Sequence, residues 1–367
     1  MPDAGPRRHE LGSAGLRSTA GSTDDARVRD ARGTVARVTV WSGFAVSAVF
    51  AYLALKDARL DEVWSSLEAS RYEWTFPALA VMTCVFFIRA LRWQLLFAPP
   101  RPPFRLVASA LFVGYFFNNV LPARAGDVAS IVALNRRART PVAEATGTLV
   151  IERAFDLLSL LLLLFIFLPW LPDLSWVRAA GLLAGGLFLV IGLLIVILAA
   201  FGERPFAFVG RQLERVRFLA DRGIGGAPAN LFRGLHGLRR PWTGLLCFVL
   251  TTLSWLVLAV GFWLVTFAFD LGLSYGAGLL VVIAVGLGMV LPSSPAALGV
   301  FEAATVLALA AYGIPDSEAV SFALVLHALN ALPFIVLALV LLRPYRGVVL
   351  TRQGDASSTP ARESSRT

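Results

Sequence analysis

Glu152, Arg153 and Asp156 interrupt a run that otherwise reads Gly147-Thr-Leu-Val-Ile and then Leu157 through Leu168, apolar and long enough to cross a bilayer. A charge at the bilayer centre costs roughly 2.5–3.5 kcal/mol on insertion scales, so three of them facing lipid would nearly cancel what the surrounding leucines contribute. They have to face protein or water. The carboxylates are four residues apart and Arg153 is three before Asp156, so all three project from one side of a helix and can neutralise one another. Such a face is a candidate pathway for a polar group through the membrane. A structural ion pair locking two helices, or charges lying nearer one membrane surface, remains open beside it.

Two further stretches break apolar runs. Asn118-Asn119-Val-Leu-Pro122-Ala-Arg124-Ala-Gly126-Asp127 contains residues lipid does not tolerate. Backbone groups freed by Pro122 and Gly126 need partners, which the asparagine amides can supply. A helix restarting near Ala125 would turn its positive dipole end and Arg124 toward the break, where an anion such as a lipid phosphate is stabilised; Asp127 in the first turn can instead cap that helix. An ordinary proline turn in a cytoplasmic loop is the plainer alternative. The second break, Leu291-Pro292-Ser293-Ser294-Pro295-Ala-Ala-Leu-Gly299-Val-Phe-Glu302, has two prolines that stop one helix, serine hydroxyls as donors and a glycine for the return. Glu302 is favoured by the dipole of the restarting helix and is within range of pairing with Arg124 or Arg153; an extramembrane turn explains the prolines equally well. Arg89 and Arg92, followed by Trp93, read most simply as snorkelling to an interface with the tryptophan in the aromatic belt. The stronger reading turns Arg89 toward the polar cluster.

Composition fixes the class. With 57% hydrophobic and 16% charged residues among 367, a mean hydropathy of +0.71 and apolar blocks of about 20 residues lacking period-2 alternation, the chain is an all-α polytopic membrane protein and not a barrel. Lys56 is the only lysine and has no glycine beside it, which excludes a Walker A loop. Cys84 and Cys247 fall inside apolar segments and read as small core residues; His9, His236 and His327 are scattered. No HExxH, CxxC or GxSxG motif is present, so no metal, cofactor or catalytic residue is expected. About 30 polar residues separate Arg7-Arg8 from the first apolar run, against a twin-arginine signal.

The elements that position these groups follow from the apolar runs. Six full spans are expected at about Val38–Leu55, Phe76–Phe97, Ala143–Leu168, Arg178–Ala200, Trp242–Phe269 and Ala319–Leu342. Two shorter pairs, Leu106–Leu121 resuming toward Leu134, and Ala277–Leu291 resuming over Val300–Tyr312, fall short of a ~30 Å core at 1.5 Å per residue and predict broken or re-entrant helical hairpins. Seven arginines before residue 38, eight between Glu203 and Arg240, and Arg343 and Arg346 after the last span predict cytoplasmic termini, whereas Leu168–Trp176, Asp270–Tyr275 and Gly313–Ser317 contain no basic residue. The parity closes only if the hairpins enter from opposite faces, as in transporters built from inverted repeats. Residues 1–37 and 346–367 read as disordered tails around a transmembrane domain over 38–345. Within the loop 201–241, Phe206, Val209, Leu213, Val216 and Ala220 alternate with arginines, a basic helix suited either to the anionic inner leaflet or to the protein itself.

Four pieces in order, Arg89-Ala-Leu-Arg92-Trp93 with Leu95-Leu96, Asn118-Asn119-x-Leu-Pro-Ala-Arg-Ala-Gly-Asp127, Glu152-Arg153-x-x-Asp156 and Pro295-x-x-Leu-Gly-x-Phe-Glu302, resemble the lysylphosphatidylglycerol synthase transmembrane family over roughly Val38 to Leu342. The chain departs from it at Ala296-Ala297, where the family commonly has Gly-Gly, and near Ser130, where an arginine is common. The resemblance implies a flippase-like domain moving a phospholipid or polyprenyl-linked lipid between leaflets of a bacterial plasma membrane. It does not imply lysyl transfer, which in that family belongs to a soluble aminoacyltransferase domain; about 25 residues follow Leu342 here. The expected headgroup contacts are Asn118, Asn119, Arg124, Ser293 and Ser294, with Asp127 and Glu302 at the two helix restarts and Glu152, Arg153 and Asp156 along the path. The partners expected are membrane lipids, the inner leaflet and an enzyme of envelope lipid synthesis, and no nucleic acid. An integral membrane enzyme on a lipid carrier and a membrane scaffold are the alternatives.

Overall fold

The computed structural model describes residues 41–122, 124–201, 241–291 and 293–342, and every regular element among them is helical. The tails and the basic loop helix read from the sequence lie outside the described residues. In chain order the helices are α1 (Trp41–Leu55), α2 (Leu60–Ala69), α3 (Thr75–Leu96), α4 (Phe104–Val120), α5 (Ala125–Ala138), α6 (Val142–Phe167), α7 (Ser175–Phe201), α8 (Pro241–Ala268), α9 (Tyr275–Gly288), α10 (Val300–Ala310) and α11 (Asp316–Leu342). Four segments, Tyr72–Leu96, Ser175–Leu193, Trp242–Ala268 and Asp316–Val336, are long and apolar enough to cross a membrane. The 26-residue α6 matches them in length but carries the three charges at its middle. The multi-pass helical architecture read from the apolar blocks is the one observed.

One helix was not anticipated. The acid-rich segment after Lys56 folds as α2, with Asp61 and Glu62 in its first turn, where the helix dipole favours acids. Its buried Val63 rests on α11, and the Val63 carbonyl accepts the Ser321 hydroxyl at 3.1 Å. Ten residues with so short an apolar face give little periodicity to read.

Contacts between chain-distant residues fix the helix directions. The Arg71 N–H donates to the Ala268 carbonyl (2.7 Å) and Trp74 stacks on Phe267 at 4.9 Å, so α3 begins where α8 ends. The Cys247 thiol faces the Arg92 carbonyl at 3.9 Å, so α3 ends near the start of α8 and the two run antiparallel. The Arg59 N–H donates to Ser317 Oγ (2.9 Å), which sets α2 and the start of α11 at the end of the bundle shared by the α8 terminus. The α9–α10 hairpin leaves and returns at that end. The α4–α5 hairpin, lying between the end of α3 and the start of α6, leaves and returns at the other. Their tips meet: α4 packs against the 3-10 turn Pro295–Ala297 of the second break.

Small residues make both tips possible. A β-carbon on Gly126 would overlap the Gly114 carbonyl, so α4 and α5 approach backbone to backbone there. The second break is closed by α1, whose Gly43, Ser47 and Ala51 share one face: the Ser294 N–H donates to Ser47 Oγ (2.9 Å), and Gly299, at φ 85°, lies against the Ser47 carbonyl. A large apolar core joins α6 to α11, and a smaller one lies under α3, α4, α5 and α6. Cys247 is buried in the smaller core as expected, but Cys84 is exposed.

Candidate functional site

Arg92 is the hub of the charged cluster. Its side chain is fully buried, with Nη1 donating to Asp156 Oδ1 (2.8 Å) and to Thr251 Oγ1 of α8 (3.0 Å), while Nη2 pairs with Glu152 Oε1. This overturns the snorkelling reading of Arg92 and the belt placement of Trp93, whose buried indole N–H donates to Thr148 Oγ1 at 3.1 Å. Two carboxylates in a helix core need a countercharge with several donors, and an interfacial arginine would leave them unpaired. Arg153 bridges the other way, to Asp156 Oδ2 (3.3 Å) and to Asp127 Oδ1 on α5 (3.2 Å). The network thus ties α3, α6 and α8 to the first hairpin. Glu152 pairs with Arg92 and not with its neighbour Arg153.

Between the two hairpin tips lies a cavity of about 460 Å³. Its wall includes Asn118, Asn119, Arg124, Glu152, Arg153, Asp156, Ser293 and Ser294, residues from three separate stretches of sequence. Asp127 and Glu302 stand behind that wall. Asp127 does not cap α5: it accepts from Asn118 Nδ2 (3.2 Å) and from Arg153, while the capping acceptor is Asn118 Oδ1, which takes the Gly126 N–H at 2.9 Å. Asn118 therefore spends both ends of its amide on the break, and Asn119 Nδ2 donates to the Tyr115 carbonyl (2.9 Å). The Ser294 hydroxyl turns back to the Leu298 carbonyl (3.2 Å) within its own turn, so only Ser293 of the serine pair offers the cavity an uncommitted hydroxyl.

Glu302 meets neither Arg124 nor Arg153. At the third position of α10 it accepts the Gly299 N–H (2.7 Å), the carboxylate half of a capping box, and its other oxygen lies 2.6 Å from His327 Nδ1 of α11. His327, Asn330, Trp255 and Tyr115 line the cavity and escaped the sequence reading, which took the histidines as scattered. An ionisable residue inside an apolar helix was the signal for His327. Arg89 faces the cluster, as in the stronger reading: Nη1 donates to the Tyr115 hydroxyl (3.2 Å) and the guanidinium lies 4.6 Å from the centre of the Trp255 ring.

Several polar atoms beside the cavity lack a partner. Arg89 Nε and Nη2, Arg153 Nε and the Trp255 indole N–H are buried without a partner among the described residues, as is Glu152 Oε2. Arg124, in left-handed conformation at φ 55° before α5, makes no ion pair among the described residues. Four arginines, Arg89, Arg92, Arg124 and Arg153, stand against four carboxylates, Asp127, Glu152, Asp156 and Glu302, in and behind this wall, so its charges balance while His327 is neutral. No group of three or more metal-ligating side chains occurs among the described residues.

Residues 40–338 match the lysylphosphatidylglycerol synthase TM region. The chain belongs to this family. Curated relatives include a UPF0104 membrane protein of Methanocaldococcus jannaschii, 27% identical over 206 residues that cover 56% of this chain and 83% of the relative. A UPF0104 membrane protein of Methanothermobacter thermautotrophicus is 25% identical over 269 residues, 69% of this chain and 78% of its own. In this family member Ala296 and Ala297, the positions of the expected glycines, both adopt left-handed backbone, at φ 56° and 58°. That is the conformation glycine takes without cost and alanine does not.

Proposed function

We propose that this protein moves a phospholipid or polyprenyl-linked lipid between membrane leaflets, as a non-enzymatic flippase or scramblase. The observation that carries the proposal is the cavity where the hairpin tips meet: Arg124 lines it without an ion pair among the described residues, and its rim includes Leu121 and Val290, 39% and 62% exposed. A headgroup phosphate takes two parallel hydrogen bonds from an arginine, and acyl chains remain outside along exposed apolar side chains, so a groove suffices. Arg92 pairs with both Glu152 and Asp156, a structural engagement that favours transport over chemistry on a lipid carrier. The arginine distribution supports cytoplasmic termini and the loop 201–241 on the anionic inner leaflet; the bacterial plasma membrane and an enzyme of envelope lipid synthesis as partner belong to the proposal through the lipid cargo alone.

The test is leaflet exchange of an acyl-labelled lipid in proteoliposomes. Arg124→Ala removes a cation whose side chain makes no hydrogen bond or ion pair among the described residues, so exchange should fall about tenfold or more, the worth of a charge-assisted contact, while folded yield stays the same. Wild-type protein that exchanges no faster than empty vesicles sinks the proposal.

A further inference from the structure

Glu302 and His327 form a buried titratable pair that lipid contact alone does not use. Glu302 is committed at both oxygens, to the Gly299 N–H and to His327 Nδ1, and the His327 ring is held flat against Phe301 with centroids 4.4 Å apart. With a carboxylate at Nδ1, the neutral imidazole keeps its proton there and Nε2 becomes its acceptor. Nε2 has no hydrogen bond to a described residue, and His327 is part of the cavity wall. We infer that His327 is a proton-binding site, and that a proton taken up at Nε2 binds together with an anionic headgroup in the cavity.

The inference rests on the lipid-movement reading and adds the coupling ion. The step is simple in balance: a proton from water adds to the Nε2 lone pair, no bond to carbon changes, and the imidazolium is neutralised by Glu302. Protonated Nε2 is then a charged donor on the wall. The other titratable or charged groups on that wall are Arg89 of α3, Tyr115 of α4, Arg124 before α5, and Glu152, Arg153 and Asp156 of α6. The wall residues of α8 and α9 are not titratable, and the charged residues of α2, which packs on the start of α11, are exposed. With four arginines balanced by four carboxylates, a proton at His327 leaves the wall one positive charge in excess, which an anion in the cavity neutralises. The headgroup therefore favours the proton, and by reciprocity the proton favours the headgroup.

The experiment uses vesicles of phosphatidylcholine with acyl-labelled phosphatidylglycerol, whose phosphodiester does not titrate in the imidazole range. Wild-type exchange should rise as pH falls, by up to about tenfold per unit. In weakly buffered detergent solution, adding short-chain phosphatidylglycerol to the purified protein should draw up to about one proton per lipid bound from an indicator dye. His327→Gln, and His327→Asn should the first variant fold poorly, should give exchange flat with pH and no proton uptake. Wild-type exchange that is flat with pH and takes up no proton overturns the inference and leaves lipid movement standing. A His327 variant that keeps the wild-type pH profile also overturns it. No exchange at any pH overturns both.

Discussion

The two hairpins meet tip to tip, yet they are held by different forces. Nine of the 14 residues of α9 are buried, almost all apolar, and its break is sealed by the small face of α1 and capped by Glu302. Four of the 14 residues of α5 are buried, and its hold on the bundle runs through Gly126 against Gly114, the Asn118 amide and the Asp127–Arg153 ion pair. The second hairpin is part of the core, and the first is pinned to it at polar points. Under the lipid-movement proposal one wall stays and one yields, and the two modes of attachment match that division.

The comparison fails first if the Arg92 network is dispensable. Arg92→Met leaves Glu152 and Asp156 buried with only Arg153 nearby, and thermal or denaturant unfolding in detergent should register a loss of about 3–5 kcal/mol. Next, Gly126→Ala and Gly299→Ala each force a β-carbon into backbone; each should cost about 1–3 kcal/mol, the first by parting α4 from α5 and the second by parting the α10 turn from α1. If Gly126→Ala is silent, the first hairpin is not tightly pinned at its tip. Amide hydrogen exchange in micelles sharpens the contrast directly: α5 should exchange at least about tenfold faster than α9, because few buried apolar contacts hold it. The smallest effect concerns the family's glycine positions. Ala296→Gly relieves left-handed backbone at about 1–2 kcal/mol but adds unfolded-state freedom of about 0.4–1 kcal/mol, so a net gain between zero and about 1.6 kcal/mol is expected in unfolding.

The spans were legible because lipid imposes length and apolarity on each one separately: the expected Phe76–Phe97 and Trp242–Phe269 are observed as Thr75–Leu96 and Pro241–Ala268. The hairpins were legible for the complementary reason, since Pro122, Gly126 and Pro295 forbid a continuous helix. Pairing was not legible. Glu152 and Arg153 are neighbours in sequence and charge, yet Glu152 turns to Arg92, 60 residues away, because only α3 brings a guanidinium into the dry side of α6. Glu302 likewise had two plausible arginines and took His327 instead.

The amino-acid order by itself determined a helical chain that crosses a bilayer repeatedly, interrupted twice by segments lipid rejects, because solvent exclusion acts residue by residue along a run. Which charges meet, which carbonyl closes which turn, and that both breaks open on one cavity were decided only by the packing of α1, α6, α8 and α11 around the tips. A buried charge selects its partner by distance and desolvation in three dimensions, and neither quantity is written in the spacing of residues along the chain.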